Sequence, residues 1–267
     1  MKKAIIVSQE CIAGMNVKTR LLELFEFKED GVFEESTVYS FKDIKLYTIK
    51  EIHIFREDLD KEIDADLFVF ATTHRSKAGI PSLCVHAPGN WDKAELGGRD
   101  KQLCISMPGY MKIAYNKLIE LNTIEFDIVQ EATHHGPYME KPIMFIEIGS
   151  SEKEWVIKEA GEIIANTIIH ILTEDIPKHE IAFGIGGQHT TTNFKKIVEN
   201  TNIAIGHVCP KYMLERLDKN MVQQALDRNM GKVDHVILDW KGLGKEKKRI
   251  SDLLKELNIE FKRTKDY

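Results

Sequence analysis

The sequence predicts an α/β protein with a mainly parallel central sheet flanked by helices. Short apolar strands alternate with amphipathic helices along the 267 residues, which is the order that favours a parallel sheet. The run Asp66–Ala71 is almost continuously apolar, as expected of a strand that is covered on both faces. No repeat or flexible linker divides the chain. We therefore expect a single domain over 1–267, with a small α+β subdomain added around 26–64, where the strands are short and polar.

The first half of the chain begins with a β-branched strand at Lys3–Ser8. A helix is predicted next, because its apolar residues recur at helical spacing in Val17, Leu21, Leu22 and Phe25. Further strands are expected at 37–41, 45–49, 66–71 and 83–86. The periodicity of Tyr110–Leu121 then predicts an amphipathic helix.

The second half repeats this alternation. Strands are expected at 126–129, 143–148, 181–185, 203–208 and 235–239. Ser151 and Glu154 have the spacing of a capping box, and the apolar stripe after them predicts one long helix ending near Thr173. The chain closes with a basic helix after Lys241.

Composition excludes some functional classes. No apolar run approaches the roughly 20 residues of a membrane span, and the N-terminus lacks the apolar core of a signal peptide. The four cysteines are scattered without a C-x-x-C pair, which argues against a cysteine zinc site and favours a reducing, cytoplasmic location. The sequence indicates no membrane association and no protein partner.

Charge is distributed unevenly. The net charge is −5, but from Lys241 onward nine Lys and Arg face five Asp and Glu, so this tail carries +4 and the remainder −9. A basic patch can steer a polyanion, although a solvated helix face gives the same pattern. We expect Lys211 and Lys241, each just past a strand end, to contact phosphates.

Histidines recur at or just beyond the ends of the predicted strands, at His74, His86, His134, His135, His189 and His207. The carboxyl ends of parallel strands meet at one edge, so these side chains are expected to share a crevice. Imidazole is the usual general base near neutral pH and a frequent metal ligand. A single loop histidine is more often a hydrogen-bonded bystander.

The segment Glu131–Pro137 and the strand after it form the centre of the predicted site. His134 and His135 precede a Gly-Pro turn, and Glu147 is the one charge in an apolar strand, where it must be paired, ligated or functional. We predict that His134, His135, Glu147 and His189 form one catalytic constellation across a hairpin-like bend. The alternative is a structural salt bridge for Glu147 beside ordinary turn histidines.

Several familiar site motifs are absent: there is no P-loop, no G-x-G-x-x-G, no H-E-x-x-H and no G-x-S-x-G. Gly186 and Gly187 would instead allow a substrate backbone or phosphate to approach closely.

Seven segments together resemble the archaeal-type D-aminoacyl-tRNA deacylases, which also occur in plants. They are Asp66–His74, His86–Trp91 (H-A-P-G-N-W), Glu131–Pro137 (E-A-T-H-H-G-P), Glu147–Glu152, Gly184–His189, Gly206–Tyr212 and Asp239–Gly242. The resemblance covers essentially the whole chain. The chain departs from the family at Thr190–Thr191, where an aromatic and a small residue are usual, and this affects the substrate-side wall of the pocket.

The resemblance implies a phosphorylase/hydrolase-like α/β fold and hydrolysis of the ester that joins a D-amino acid to tRNA. It also implies zinc as cofactor, for which His134, His189 and Glu147 are the candidate ligands. Candidate substrate contacts are His74, His86, Asn90, Gly186, Gly187, His207, Lys211 and Lys241. The ribose hydroxyl beside the ester could assist the reaction, leaving the protein mainly to position the substrate.

Two other functions remain open at this point. A metal-dependent peptidase or a nucleoside phosphorylase-like enzyme would act on free peptides or nucleosides. A tRNA-binding protein without catalysis would form a salt-sensitive complex and leave the RNA unchanged. The crowding of histidines argues against the latter.

Overall fold

The computed structural model describes residues 1–267. Its strands are β1 (Lys3–Ser8), β2 (Lys28–Phe33), β3 (Ser36–Phe41), β4 (Ile44–Ile49), β5 (Leu67–Arg75), β6 (Ser82–His86), β7 (Asp127–Gln130), β8 (Ile143–Ser150), β9 (Glu180–Ile185), β10 (Ile203–Cys209), β11 (Val233–Leu238) and β12 (Phe261–Arg263). Its helices are α1 (Ile12–Leu24), α2 (Pro108–Leu121), α3 (Glu152–Trp155), α4 (Lys158–Thr173), α5 (Lys195–Asn200), α6 (Lys219–Asp227) and α7 (Lys247–Glu256). None of these helices is long and apolar enough to cross a membrane.

The larger of two sheets has eight strands in the order β2-β3-β4-β1-β5-β8-β6-β7. Its centre, β4-β1-β5-β8, is parallel, whereas β6 runs antiparallel to β8 and β2 and β3 form an antiparallel edge. The predicted α/β class with a mainly parallel sheet and flanking helices is confirmed. The segment 26–64, predicted as an added subdomain, extends this sheet through β2, β3 and β4 and continues into two short 3-10 turns.

A second sheet of four parallel strands, in the order β10-β9-β11-β12, was not anticipated as a separate unit. The two sheets meet where the chain leaves β7. There Gln130 Nε2 donates to the Ile205 carbonyl (2.8 Å), and the Thr133 amide donates to the Val208 carbonyl (3.0 Å). The exit of β7 therefore carries residues of the large sheet against the edge of the small one.

The helix predicted after Ser151 is interrupted. The capping box of Ser151 and Glu154 is present, but α3 ends at Trp155 and α4 starts at Lys158, so the prediction of one continuous helix was wrong. Asn16 Nδ2 donates to the carbonyls of Trp155 (3.0 Å) and Ile157 (2.8 Å), which satisfies groups that the break exposes.

At the break, the indole of Trp155 lies against the C-terminal end of β5. Its Nε1 donates to the His74 carbonyl at 3.1 Å. This hydrogen bond attaches the end of β5, which carries His74, to the helical layer.

The two faces of the large sheet are covered differently. One face packs against α1, α2 and α4 in the main apolar core, which also includes residues of β10. The other face carries an aromatic cluster in which Phe70 and Phe145 stack with ring centroids 5.0 Å apart. The residues that extend this second face towards the ends of β5, β6 and β8 are polar, and they build the site described below.

His207, on β10, is a buried junction between the sheets. Its Nε2 lies 3.1 Å from the Cys104 carbonyl oxygen and 2.9 Å from that of Arg228, so it carries the hydrogen. Its Nδ1 lies 3.1 Å from the Thr133 hydroxyl. Burial lowers the pKa of His207 to about 4, which keeps the ring neutral at physiological pH. The predicted substrate contact of His207 is not supported, because the ring is inaccessible and both nitrogens are engaged.

Replacing His207 with Ala is expected to lower the free energy of unfolding by about 3 kcal/mol, because two buried carbonyls and a hydroxyl lose their partner. Urea unfolding measures this change. The matched control is His170→Ala on α4, whose half-buried ring makes no side-chain hydrogen bond; it should change stability by less than about 0.5 kcal/mol. Equal effects of the two substitutions would argue against the junction.

Candidate functional site

The candidate site continues the second face of the large sheet. In strands, every second side chain faces the same way, and the β5–β8 register places Phe70, Thr72 and His74 beside Phe145, Glu147 and Gly149. On the other side of β8, Cys84 pairs with Glu147 and His86 pairs with Phe145. Because β6 is antiparallel to β8, His86 and His74 approach Glu147 from opposite ends. The predicted hairpin-like bend between β7 and β8 was wrong, since β6 lies between them.

Glu131 is the centre of the cluster. It follows β7, its side chain has no exposed surface, and its Oε1 lies 3.1 Å from His74 Nδ1 and 3.2 Å from His189 Nε2. Neither carboxylate oxygen has a partner in hydrogen-bond geometry. Burial opposes ionisation of this carboxyl, but His189 and His74 outweigh it and hold its pKa well below the ordinary value.

Glu147 forms a second buried carboxylate. Thr72 Oγ1 donates to its Oε1 at 2.6 Å, His86 Nε2 lies 3.5 Å from the same oxygen, and His74 Nδ1 lies 3.8 Å from the other. Burial lowers the pKa of His86, but Glu147 more than compensates and the net shift is upward. Burial also lowers the pKa of His74, and Glu131 reverses that shift. Glu147 is thus paired, as a buried charge must be.

His134 and His135 have defined tautomers. Nδ1 of His134 donates to the Ala132 carbonyl (2.8 Å), and Nδ1 of His135 donates to that of Gly136 (2.5 Å). The Nε2 atoms therefore carry lone pairs and can bind a metal or accept a proton. Burial, reinforced by neighbouring imidazoles, lowers the pKa of both rings well below the ordinary value, so both stay neutral.

The predicted constellation is compact, and His74, His86 and Glu131 join it. The ring centroid of His134 lies 4.3 Å from each of those of His86, His135 and His189. Glu147 reaches the group through His86. His189 lies on the loop after β9. Its backbone carbonyl accepts a hydrogen bond from the Ala132 amide at 2.8 Å.

The residues could hold a metal ion. Ligand atoms of Glu131, His134 and His189 lie within 4.8 Å of one another, as do those of His86, Glu131 and Glu147. The unpartnered oxygens of Glu131 and the unpartnered Nε2 of His86 are buried polar atoms that a cation would satisfy. The donor set of imidazoles and carboxylates suits zinc. Relative to the sequence prediction, Glu131 takes the place of Glu147 beside His134 and His189.

A cavity of about 260 Å³ opens above the cluster. His134, His135 and His189 line it, whereas His74, His86 and both carboxylates lie behind them. Its remaining lining residues are Gly89, Asn90, Trp91, Lys93, Glu95, Leu96, Thr133, Tyr212 and Met213. The site therefore has an accessible layer of histidines and a buried layer that orients them.

Some of the other predicted substrate contacts lie outside this cavity, and others stabilise the loops around it. Asn90 lines the cavity, but its Nδ2 donates to the Gly97 carbonyl at 2.8 Å. Gly186 and Gly187 are buried with positive φ; a Cβ on Gly186 would lie 3.1 Å from the Asp239 carbonyl oxygen. They shape the turn and do not line the cavity. Lys211 and Lys241 are exposed, and neither forms an ion pair.

Comparison with known proteins identifies the family of this chain. The family model described as D-aminoacyl-tRNA deacylase matches residues 61–262. The chain belongs to this family. A D-aminoacyl-tRNA deacylase of Pyrococcus furiosus is 40% identical over 97% of this chain and 98% of its own length, and one of Methanosarcina barkeri is 36% identical over 97% and 88%. A solved structure titled as a conserved protein of unknown function superposes with a TM-score of 0.91 at 29% identity, covering 99% of this chain and 96% of that one.

Glu131 is the buried carboxylate of the cluster that sequence reasoning missed. It heads the E-A-T-H-H-G-P segment that resembles the deacylase family, but it follows a strand and therefore looks like a solvated turn residue. The adjacent Thr133–His134–His135 run was the available signal. The departure from the family at Thr190–Thr191 lies in the His189 loop, where Thr191 has a φ of 42° and its hydroxyl donates to the Gln130 carbonyl.

Replacing Glu131 with Gln keeps the shape and removes the charge. We expect kcat/KM to fall by roughly 10²–10⁴-fold and the zinc content per chain, measured by elemental analysis, to drop, with little change in melting temperature. The matched control is Glu180→Gln, an exposed carboxylate that faces His235 on the second sheet. Unchanged activity and metal content with a lowered melting temperature would assign Glu131 a structural role only.

Proposed function

We propose that this protein hydrolyses the ester bond of D-aminoacyl-tRNA and releases the free D-amino acid and tRNA. Family membership over nearly the full chain carries the proposal. The site supports it, because ester hydrolysis needs an activated water and a stabiliser for the developing oxyanion in one accessible cavity. The reaction would take place in the cytoplasm, where charged tRNA is used.

The accessible histidines would meet the reacting ester. His134 and His135 are neutral and have free Nε2 atoms, so each offers a lone pair to a water molecule or to a metal ion. His189 is partly exposed at the cavity, and its Nδ1 contacts the Tyr212 hydroxyl at 3.2 Å. Glu131 would hold His74 in orientation and stabilise positive charge on it as a proton moves.

Zinc would fit between Glu131, His134 and His189. When bound, zinc makes water a nucleophile near neutral pH and polarises a carbonyl. The backbone hydrogen bonds at Nδ1 of His134 would keep its ligand nitrogen pointing into the site. The buried second carboxylate, Glu147, would orient His86 from behind.

The alternative functions are less well supported. A nucleoside phosphorylase needs a phosphate site beside the sugar, but Gly186 and Gly187 are packed against Asp239 and do not line the cavity. A tRNA-binding protein without catalysis has no use for two buried carboxylates facing imidazoles, since burying such charges is costly.

The protein is expected to release tyrosine from D-tyrosyl-tRNA much faster than from L-tyrosyl-tRNA. The measurement is the rate at which free amino acid appears with each charged tRNA under the same conditions. Equal rates on the two enantiomers, or no release from either, would refute the proposed function. Release of amino acids from free peptides would favour a peptidase.

Lys211 and Lys241 would contact phosphates of the tRNA acceptor end. Their neighbours Lys245, Arg216 and Arg249 are paired with acidic side chains, whereas Lys211 and Lys241 are exposed and form no ion pair. The Lys211 amide donates to the Gly187 carbonyl at 2.9 Å, which fixes its position beside the site. Phosphate contacts supply affinity that depends on salt.

Substituting Lys241 with Ala should raise KM, leave kcat unchanged and reduce the slope of log affinity against log salt by roughly one unit. Lys248→Ala, whose partner Asp252 lies on the same helix, is the control and should have less effect. Loss of kcat at an unchanged KM would place Lys241 in the chemistry instead.

A further inference from the structure

The mouth of the cavity is formed by two exposed apolar side chains that face the same opening. Leu96 and Tyr212 are each 56% exposed, and both line the cavity floored by His134, His135 and His189. Large apolar side chains exposed at a site entrance are typical of a binding surface. The cluster below explains the chemistry but gives no role to these two residues.

Leu96 is held rigidly although it is exposed. Its carbonyl accepts from the Gly136 amide at 3.0 Å, and the next residue, Gly97, accepts from Asn90 Nδ2 at 2.8 Å. Gly97 has φ of +71°, and a Cβ there would lie 1.7 Å from the Ile54 carbonyl oxygen. The loop therefore presents Leu96 at a defined position above the histidine turn, which reduces the entropy lost when a ligand binds.

Tyr212 is the second exposed side chain that lines the cavity. It lies in the 3-10 turn Lys211–Arg216. The Lys211 amide donates to the Gly187 carbonyl and so attaches this turn to the loop after β9. Its hydroxyl contacts His189 Nδ1 at 3.2 Å. The ring is thus directed towards the reacting centre while much of its surface stays open to a ligand.

We propose that Leu96 and Tyr212 clamp the base of the 3′-terminal adenosine of the tRNA, between the exposed leucine and the tyrosine ring. This inference rests on the proposed function and adds the subsite for the part of the substrate that does not vary with the amino acid. The terminal ribose carries the ester, so a base held at the mouth places the ester over the histidines.

Stacking, and not hydrogen-bond readout, would provide the affinity. Bases stack on exposed aromatic side chains of proteins that bind single-stranded nucleic acid. The free 3′ end of tRNA is single-stranded, so its last base is available for this contact. Tyr212 would then have two separate roles: its ring binds the base, and its hydroxyl positions His189.

The test uses the full chain and the probe adenosine 5′-monophosphate, whose dissociation constant is measured by titration calorimetry. Tyr212→Ala and Leu96→Ala should each weaken binding about tenfold. Tyr212→Phe keeps the ring and should bind the probe as the wild type does, while its lost hydroxyl lowers kcat on D-tyrosyl-tRNA. Val32→Ala, an exposed apolar residue on β2 that is 73% exposed, is the matched control and should bind normally.

A second pair of probes identifies the ligand group. Ribose 5-phosphate lacks the base and should bind at least tenfold more weakly than adenosine monophosphate. If Tyr212→Ala and Leu96→Ala weaken binding of D-tyrosinamide and leave that of adenosine monophosphate unchanged, the mouth takes the amino acid and the proposal is overturned. Failure of the wild type to bind adenosine monophosphate would also overturn it.

The two proposals fail in different ways. A wild-type protein that binds the nucleotide through Tyr212 and Leu96 but does not hydrolyse D-tyrosyl-tRNA supports the subsite and refutes the hydrolase. A protein that hydrolyses the ester with an unchanged KM in Tyr212→Ala and Leu96→Ala retains its function and lacks this subsite. Melting temperatures of all variants confirm that each is folded.

Discussion

The negative charge of Glu131 is the constraint on which the site depends. A carboxylate without exposed surface is tolerated only if nearby groups compensate it. Here His74 comes from the end of β5 and His189 from the loop after β9, and each places a ring nitrogen just over 3 Å from Oε1. One buried oxygen thus draws together parts of both sheets, and the identity of its neighbours follows from its need for positive charge.

The fold supplies this meeting point through the exit of β7. That segment bonds to β6 at its start, to β10 through Thr133 and to the His189 loop through Ala132. The backbone therefore carries the histidine turn from one sheet to the other without a break in hydrogen bonding. The buried ring of His207, on β10, also makes hydrogen bonds at this junction. The backbone hydrogen bonds consequently fix the positions from which the histidine side chains extend into the site.

The sequence predicts the α/β class and the gathering of the histidines, because apolar strands and the residues at their ends are local patterns. It does not predict which strands pair, since pairing depends on contacts between distant segments. For this reason the insertion of β6 between β7 and β8, and the separation of β9–β12 into their own sheet, were missed. Glu131 was missed for a related reason: a glutamate after a strand looks solvated until the second sheet covers it. At the break between α3 and α4, two carbonyl groups are satisfied by Asn16, which is distant in sequence, and the local periodicity gives no sign of this contact.

The attachment of the Leu96 loop makes the entrance of the cavity independent of the reacting centre. The loop is held to the histidine turn by main-chain groups and by the absence of side chains at its glycines, so the bonds that support it do not involve the Leu96 side chain. A substitution at position 96 can therefore change what the entrance binds without moving His134 and His135. Affinity at the entrance and geometry at the reacting centre are set by separate groups.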